Sequence, residues 1–171
     1  MTAPTSSVAV VGVGTSPLIA ELAASGYSTL TAVDISSSAL DQLRTKLGLD
    51  ASKVRFVRGD VRTVSLPSTV DLWHDRATFH FLTSPDDQAL YATTAAAAVR
   101  PGGHLVMVQF AADGPKSCSG LAVERHSAAS LSMVFMESFD FIESFEQDHV
   151  TPSGSLQRFV HALFVRRPVS Q

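Results

Sequence analysis

Short apolar runs alternate with helix-periodic stretches along the first two thirds of the chain. Residues 8–11 (Val-Ala-Val-Val) end at Gly12 and predict a buried strand entering a tight turn. A helix follows, with Ser16 as its cap, Pro17 in its first turn, Leu18, Ile19, Leu22 and Ala23 on one face, and Gly26 as its stop. Residues 30–33 predict a second strand. Beyond Asp34, the Ser36-Ser37-Ser38 cluster caps a helix that aligns Leu40, Leu43 and Leu47 and ends at Gly48. Residues 54–57 and 70–73 predict the third and fourth strands, separated by a loop holding Asp60 and a turn at Pro67. Ser84-Pro85 opens the next helix, which continues through residues 90–99.

The second part of the pattern is different. Pro101-Gly102-Gly103 forms a turn that feeds residues 105–110, the best buried strand in the sequence. A polar loop over 111–120 precedes a helix around 128–136. Residues 139–145 and 159–165 predict two strands joined around Pro152 and Gly154 as a closing hairpin, and the spacing of Phe139, Phe141 and Phe145 reads as strand core. Early βα alternation with a late hairpin predicts an α/β fold with a mostly parallel sheet and an antiparallel strand near its edge.

Composition narrows this to one domain spanning 1–171, because 171 residues with 45% apolar content make one core and not two. The 13 Lys and Arg are scattered among 16 Asp and Glu, without the basic stripe of a nucleic-acid binder, so no nucleic-acid partner is expected. Apolar runs are short and interrupted, and residues 1–7 are polar, so neither a membrane span nor a signal core is expected. The lone cysteine, Cys118, forms no internal disulfide and suits a cytoplasmic location. It reads as an ordinary loop thiol.

Candidate chemistry lies at the strand ends. Gly12-Val13-Gly14 joins a strand to a helix, where small residues let a ligand approach backbone N–H groups at a positive helix end; a plain tight turn is the alternative. Asp34 ends the second strand, where a carboxylate accepts from both hydroxyls of a ribose, or else caps a turn. Asp60, in Val57-Arg58-Gly59-Asp60-Val61, is placed to accept from an adenine amino group, with Ile35 and Val61 as apolar walls; a solvated loop Asp is the alternative. Together these three ends favour an adenosyl ligand at the carboxyl edge of the sheet.

In this ordered set, completed by Arg100-Pro101-Gly102-Gly103, the chain resembles the class I S-adenosylmethionine-dependent methyltransferases over nearly its whole length. The resemblance implies a Rossmann-like methyltransferase fold with a seven-stranded sheet and a C-terminal antiparallel hairpin, and S-adenosyl-L-methionine as cofactor. It also implies that Gly12 and Gly14 approach the methionine part, Asp34 the ribose and Asp60 the adenine. Val10 stands where the family usually has an acid, and Ser16 where a third glycine is common. The N-terminal lid helices of many relatives are absent, so either a homodimer covers the cofactor site or an exposed monomer binds weakly.

The fourth strand leads into Trp73-His74-Asp75-Arg76-Ala77-Thr78, with His80 just beyond. Its Asp-Arg pair resembles thiopurine methyltransferase-like enzymes, and the Asp-basic-x-Thr pattern resembles some protein-lysine methyltransferases. Methyl transfer needs an aligned, unprotonated nucleophile. Asp75 is the expected orienting or deprotonating group, with His74 or His80 sharing that work and Arg76 holding an anionic acceptor or pairing with Asp75. The opposite reading gives Asp75 and Arg76 only a loop-fixing role and leaves both histidines structural. No metal-ligand spacing is present, so no metal is expected. The leading function is methyl transfer to a small-molecule acceptor, through sulfur or another soft nucleophile. The alternatives are a protein-lysine methyltransferase and a non-catalytic cofactor-binding module.

Overall fold

A computed structural model describes residues 3–151 and 154–168. Elements follow the sequence in the order β1 (Val8–Val11), α1 (Leu18–Ala24), β2 (Leu30–Asp34), α2 (Ser37–Leu47) and β3 (Val54–Arg58). After these come β4 (Val70–Arg76), α3 (Pro85–Ala98), β5 (Val99–Phe110), the two-residue strands β6 (Ser117–Cys118) and β7 (Leu121–Ala122), α4 (Ala128–Phe135), β8 (Phe139–Val150) and β9 (Leu156–Arg166). The main sheet has seven strands in the order β3-β2-β1-β4-β5-β9-β8. Strands β1 to β5 are mutually parallel, whereas β9 is antiparallel to both β5 and β8. The carboxyl ends of the five parallel strands therefore share one edge, and the order reverses between β1 and β4, where α/β sheets open a crevice.

Helix α2 shows how the pattern becomes packing. The Ser36 side chain accepts from the Ala39 N–H at its start, Gly48 leaves the helix with φ 55°, and Leu40, Leu43 and Leu47 are buried between. They join Val8, Val10, Ile19 and Ala32 in a core between α1, α2 and one sheet face. Each buried Leu contributes about 1.5–3 kcal/mol relative to an exposed one, so Leu43→Asp would detach this layer. Val10, where the resemblance led to an acid being expected, is a core residue. The opposite face packs Trp73, Leu105, Met107, Val160 and Phe164 against Tyr91 and Ala95 of α3 and Leu131 and Phe135 of α4.

Five expectations change. Strand β4 runs to Arg76, so His74, Asp75 and Arg76 lie on a strand and alternate between its faces. The Pro101-Gly102-Gly103 turn is absorbed into β5 as a bulge, where pairing jumps from Val70↔Val99 to Leu72↔His104. Within the expected polar loop, β6 and β7 pair around Ser119 and Gly120, whose φ values of 51° and 80° suit a two-residue hairpin turn. Phe139 is core, but Phe141 is 45% and Phe145 58% exposed, because β8 is the edge strand of the sheet. Ser16 serves α1 from one position further out than expected, accepting from the Leu18 N–H while Pro17 occupies the cap. Of the two expected hairpin residues, Gly154 turns with φ 84°, and Pro152 lies outside the described residues.

Candidate active site

Three strand ends are tied together at the carboxyl edge. The Gly12 N–H donates to the Val33 carbonyl, and the Gly59 N–H donates to the Asp34 carbonyl. The Asp34 carboxylate, almost buried, accepts from the Gly14 N–H at 3.0 Å through Oδ2 and from the Ser36 N–H at 2.8 Å through Oδ1. Each oxygen keeps lone-pair capacity beyond these bonds. Next to it Ile35 is 66% exposed, an apolar side chain with no structural reason to face solvent. Val13 and Val61 are buried in the two core layers, so at those positions the backbone is what meets the edge.

Gly12 turns with φ 59°, and a Cβ built on it would fall 1.8 Å from Thr78 Oγ1. The segment after β4 thus rests directly on the glycine loop, and Gly12 leaves the room that Thr78 fills. Gly14, with φ 42°, has only the Gly12 carbonyl within 4 Å of its virtual Cβ, at 3.9 Å. Its outer side is open.

Asp60 is held by its neighbour. Arg62 donates through Nε and Nη2 to the Asp60 carboxylate and through Nη1 to Asp87 in the first turn of α3. The Arg62 guanidinium lowers the Asp60 pKa and, with the Ser84 hydroxyl, that of Asp87; the two carboxylates raise that of Arg62. Asp60 is therefore an oriented, ionised acceptor at the end of β3.

Asp75 sits differently from the sequence expectation. Its side chain is 0% exposed and accepts from Tyr91 Oη (2.6 Å), Gln109 Nε2 (2.8 Å) and the N–H groups of Thr78 (3.0 Å) and Phe79 (3.3 Å). Burial pushes its pKa up while these four donors pull it down. Trp73 Nε1 donates in turn to Tyr91 Oη at 2.9 Å. His80 is also fully buried, with neither ring nitrogen partnered, and burial lowers its pKa to about 4. Strand alternation turns His74 and Arg76 to the other face, so Arg76 does not pair with Asp75. Its guanidinium lies 5.3 Å from the centre of the Phe159 ring. The structure therefore assembles Gly12, Gly14, Asp34, Ile35 and Asp60 along one edge, but separates the four candidate acceptor residues into a buried pair and a pair on the opposite face.

Tyr91, Gln109 and Arg62 carry much of this geometry without having been singled out, and Thr78 had entered only as the last residue of the Asp-basic-x-Thr pattern. Gln109 had a signal: one amide inside the apolar run Leu105-Val106-Met107-Val108-Gln109-Phe110 demands a buried partner. Tyr91 had none, since its phenol follows the helix's apolar face.

Beyond β5, the 111–126 segment folds back over this end. The Glu124 N–H donates to the His80 carbonyl, the His126 N–H donates to the Phe110 carbonyl, and Cys118 and Val123 pack on Val108, Phe110 and Phe159.

The model of the methyltransferase domain family matches residues 8–103, more than half of the chain. A solved S-adenosylmethionine-dependent methyltransferase from Methanosarcina mazei is similar over 99% of this chain and 95% of its own, with a TM-score of 0.81 at 16% identity. The N-methyltransferase NodS from Bradyrhizobium japonicum, solved with S-adenosyl-L-homocysteine, matches over 96% of this chain and 80% of its own, with a TM-score of 0.75 at 16% identity. A 1,6-didemethyltoxoflavin N1-methyltransferase from Burkholderia thailandensis, solved with that acceptor and S-adenosylhomocysteine, matches over 96% of this chain and 72% of its own (TM-score 0.75, 20% identity). No curated protein sequence matches this chain. With its glycine loop, acidic strand ends and reversed strand order in place, the chain belongs to the methyltransferase domain family of S-adenosylmethionine-dependent enzymes.

Proposed function

We propose that this methyltransferase acts on a small-molecule acceptor, through sulfur or another soft nucleophile. The observation that carries this reading is the hydrogen bond at 2.8 Å from the Glu124 N–H to the His80 carbonyl. It ties the 111–126 segment to the segment after β4, roofing the acceptor side where a polypeptide substrate would need an open groove.

The residues at the edge fit the cofactor. Asp34 has free acceptor capacity for a ribose diol, the exposed Ile35 side chain offers a flat apolar wall, and Val61 lies buried beside it. Asp60, oriented by Arg62, is an acceptor for the adenine amino group, and the open side of Gly14 in the Gly12-Val13-Gly14 turn suits the methionine part. When bound, S-adenosylmethionine supplies an electrophilic methyl group on a sulfonium. The remaining work falls to the chain. In this reading Asp75 is a positioning residue: it fixes the Thr78 and Phe79 N–H groups and so seats the post-β4 turn on Gly12. His80 is part of that support, and His74 and Arg76 face the acceptor side from the strand.

The test is formation of S-adenosylhomocysteine from S-adenosylmethionine in the presence of small thiols, selenols and amines, run beside a protein extract. Turnover with small molecules and none with the extract supports the proposal. Methylation confined to protein lysines contradicts it.

A further inference from the structure

A cleft of about 770 Å³ runs between α3 and α4. On the α3 side Ala89, Ala92 and Thr93, three and four residues apart, present small side chains along one face. On the other side stand the thioethers of Met133 and Met136, both exposed. The volume is that of a small-molecule site and too small for a folded partner.

The two buried residues in the lining are Phe135 and His126. Among the described residues His126 Nε2, itself buried, has no hydrogen-bond partner, whereas Nδ1 meets Ser130 Oγ at 3.4 Å. The Ser130 hydroxyl accepts from the Ser127 N–H in the capping box of α4 and donates to the Ser127 carbonyl at the shorter distance of 3.1 Å. Its one proton is thereby spent, so the imidazole donates from Nδ1 and carries its lone pair on Nε2. Burial lowers the His126 pKa to about 4 and keeps the ring neutral, with that lone pair available. A buried acceptor without a partner calls for a donor, and the cleft is the route by which one arrives.

The rim selects a neutral molecule. Arg167 is paired with Asp140 and Arg125 donates to the Gly114 carbonyl, so both cations are engaged, while Glu124 and Glu137 repel an anion. The surroundings favour an aromatic one. The Phe79 ring lies 5.1 Å from that of His126 and 5.6 Å from that of Phe135, and methionine sulfur packs well against ring edges.

We propose that this cleft is an effector site for a neutral aromatic molecule bearing a hydroxyl or N–H, which donates to His126 Nε2 while its ring lies among Phe135, Met133 and Met136. The effect follows from the backbone bonds of two lining residues. The His126 N–H donates to the Phe110 carbonyl and the Glu124 N–H to the His80 carbonyl, so both anchor the 111–126 segment over the acceptor side. A ligand that ties His126 to the two helices steadies that segment, and by linkage the anchored segment binds the ligand more tightly.

Phenol and toluene, which share a ring and differ in the donor, are the probes, titrated into the full chain. Nitrogen NMR of the His126 imidazole should show Nε2 unprotonated in the free chain, and phenol but not toluene should shift it. Phenol should bind about three- to tenfold more tightly than toluene, as one hydrogen bond provides, and His126→Phe should erase the difference. Phenol should also slow hydrogen exchange at the Glu124 and His126 amides. A protonated Nε2 in the free chain, equal binding of the two probes to the wild type, or phenol binding with exchange unchanged at both amides would each overturn the effector site.

Discussion

Tyr91 Oη donates to Asp75 Oδ2 at 2.6 Å, and both groups are wholly buried between α3 and β4. The phenol also accepts from Trp73 Nε1, so one hydroxyl links an indole to a carboxylate that in turn holds two backbone N–H groups. Tyr91→Phe removes the hydroxyl and leaves an indole N–H and one carboxylate oxygen without partners. Buried groups left unsatisfied cost about 1–3 kcal/mol each, so urea unfolding should show a loss in that range or somewhat above it. An unchanged midpoint would mean that the network is not formed in solution.

The glycine loop separates structural from ligand-facing demands. Gly12→Ala places a methyl against Thr78 and keeps a left-handed φ, so its stability should fall by more than the ~1–2 kcal/mol of the backbone penalty alone. Gly14→Ala meets open space and should lose about that backbone penalty only, yet weaken S-adenosylhomocysteine binding because the added methyl occupies the ligand side. Thermal melts and calorimetry on the two variants check both halves; equal destabilisation would contradict the Gly12–Thr78 contact.

Three buried histidines predict acid sensitivity. Burial is the main cause that holds His74, His80 and His126 at pKa values of about 4 in the folded chain, below an unfolded value near 6.5. A depressed folded pKa means that the unfolded chain binds the proton first. The stabilisation is full above pH ~6.5 and is lost as pH falls towards ~4, at up to about 1.4 kcal/mol per pH unit for each histidine. Urea midpoints between pH 7.5 and 4.5 should drop steeply below 6.5, and His80→Phe should reduce the slope. A flat profile would place these rings in solvent.

Much of this molecule was legible in the chain because its signals are local. Leu40, Leu43 and Leu47 with Ser36 and Gly48 specify a helix and both of its ends, and Asp34 and Asp60 follow apolar runs whose type and order define strand ends. The extent of β4 was not legible: His74, Asp75 and Arg76 are polar, and only pairing with Val106, Met107 and Val108 on β5 keeps them extended. That extension reverses the reading of Asp75, since a carboxylate expected in a loop instead points into a helix-covered face.

Calorimetric titration of S-adenosylhomocysteine into the wild-type chain and into Asp34→Ala decides whether the carboxyl edge holds the cofactor through Asp34. Asp34 joins Gly14 to the end of β2 and is the acceptor assigned to the ribose. Removing a charged acceptor costs about 1.5–3 kcal/mol per hydrogen bond, so the wild type should bind and the variant should bind at least about tenfold more weakly while melting cooperatively. Equal affinity of the two proteins, or a wild type that ignores S-adenosylhomocysteine and binds a nicotinamide dinucleotide instead, would rule out an S-adenosyl site built on Asp34.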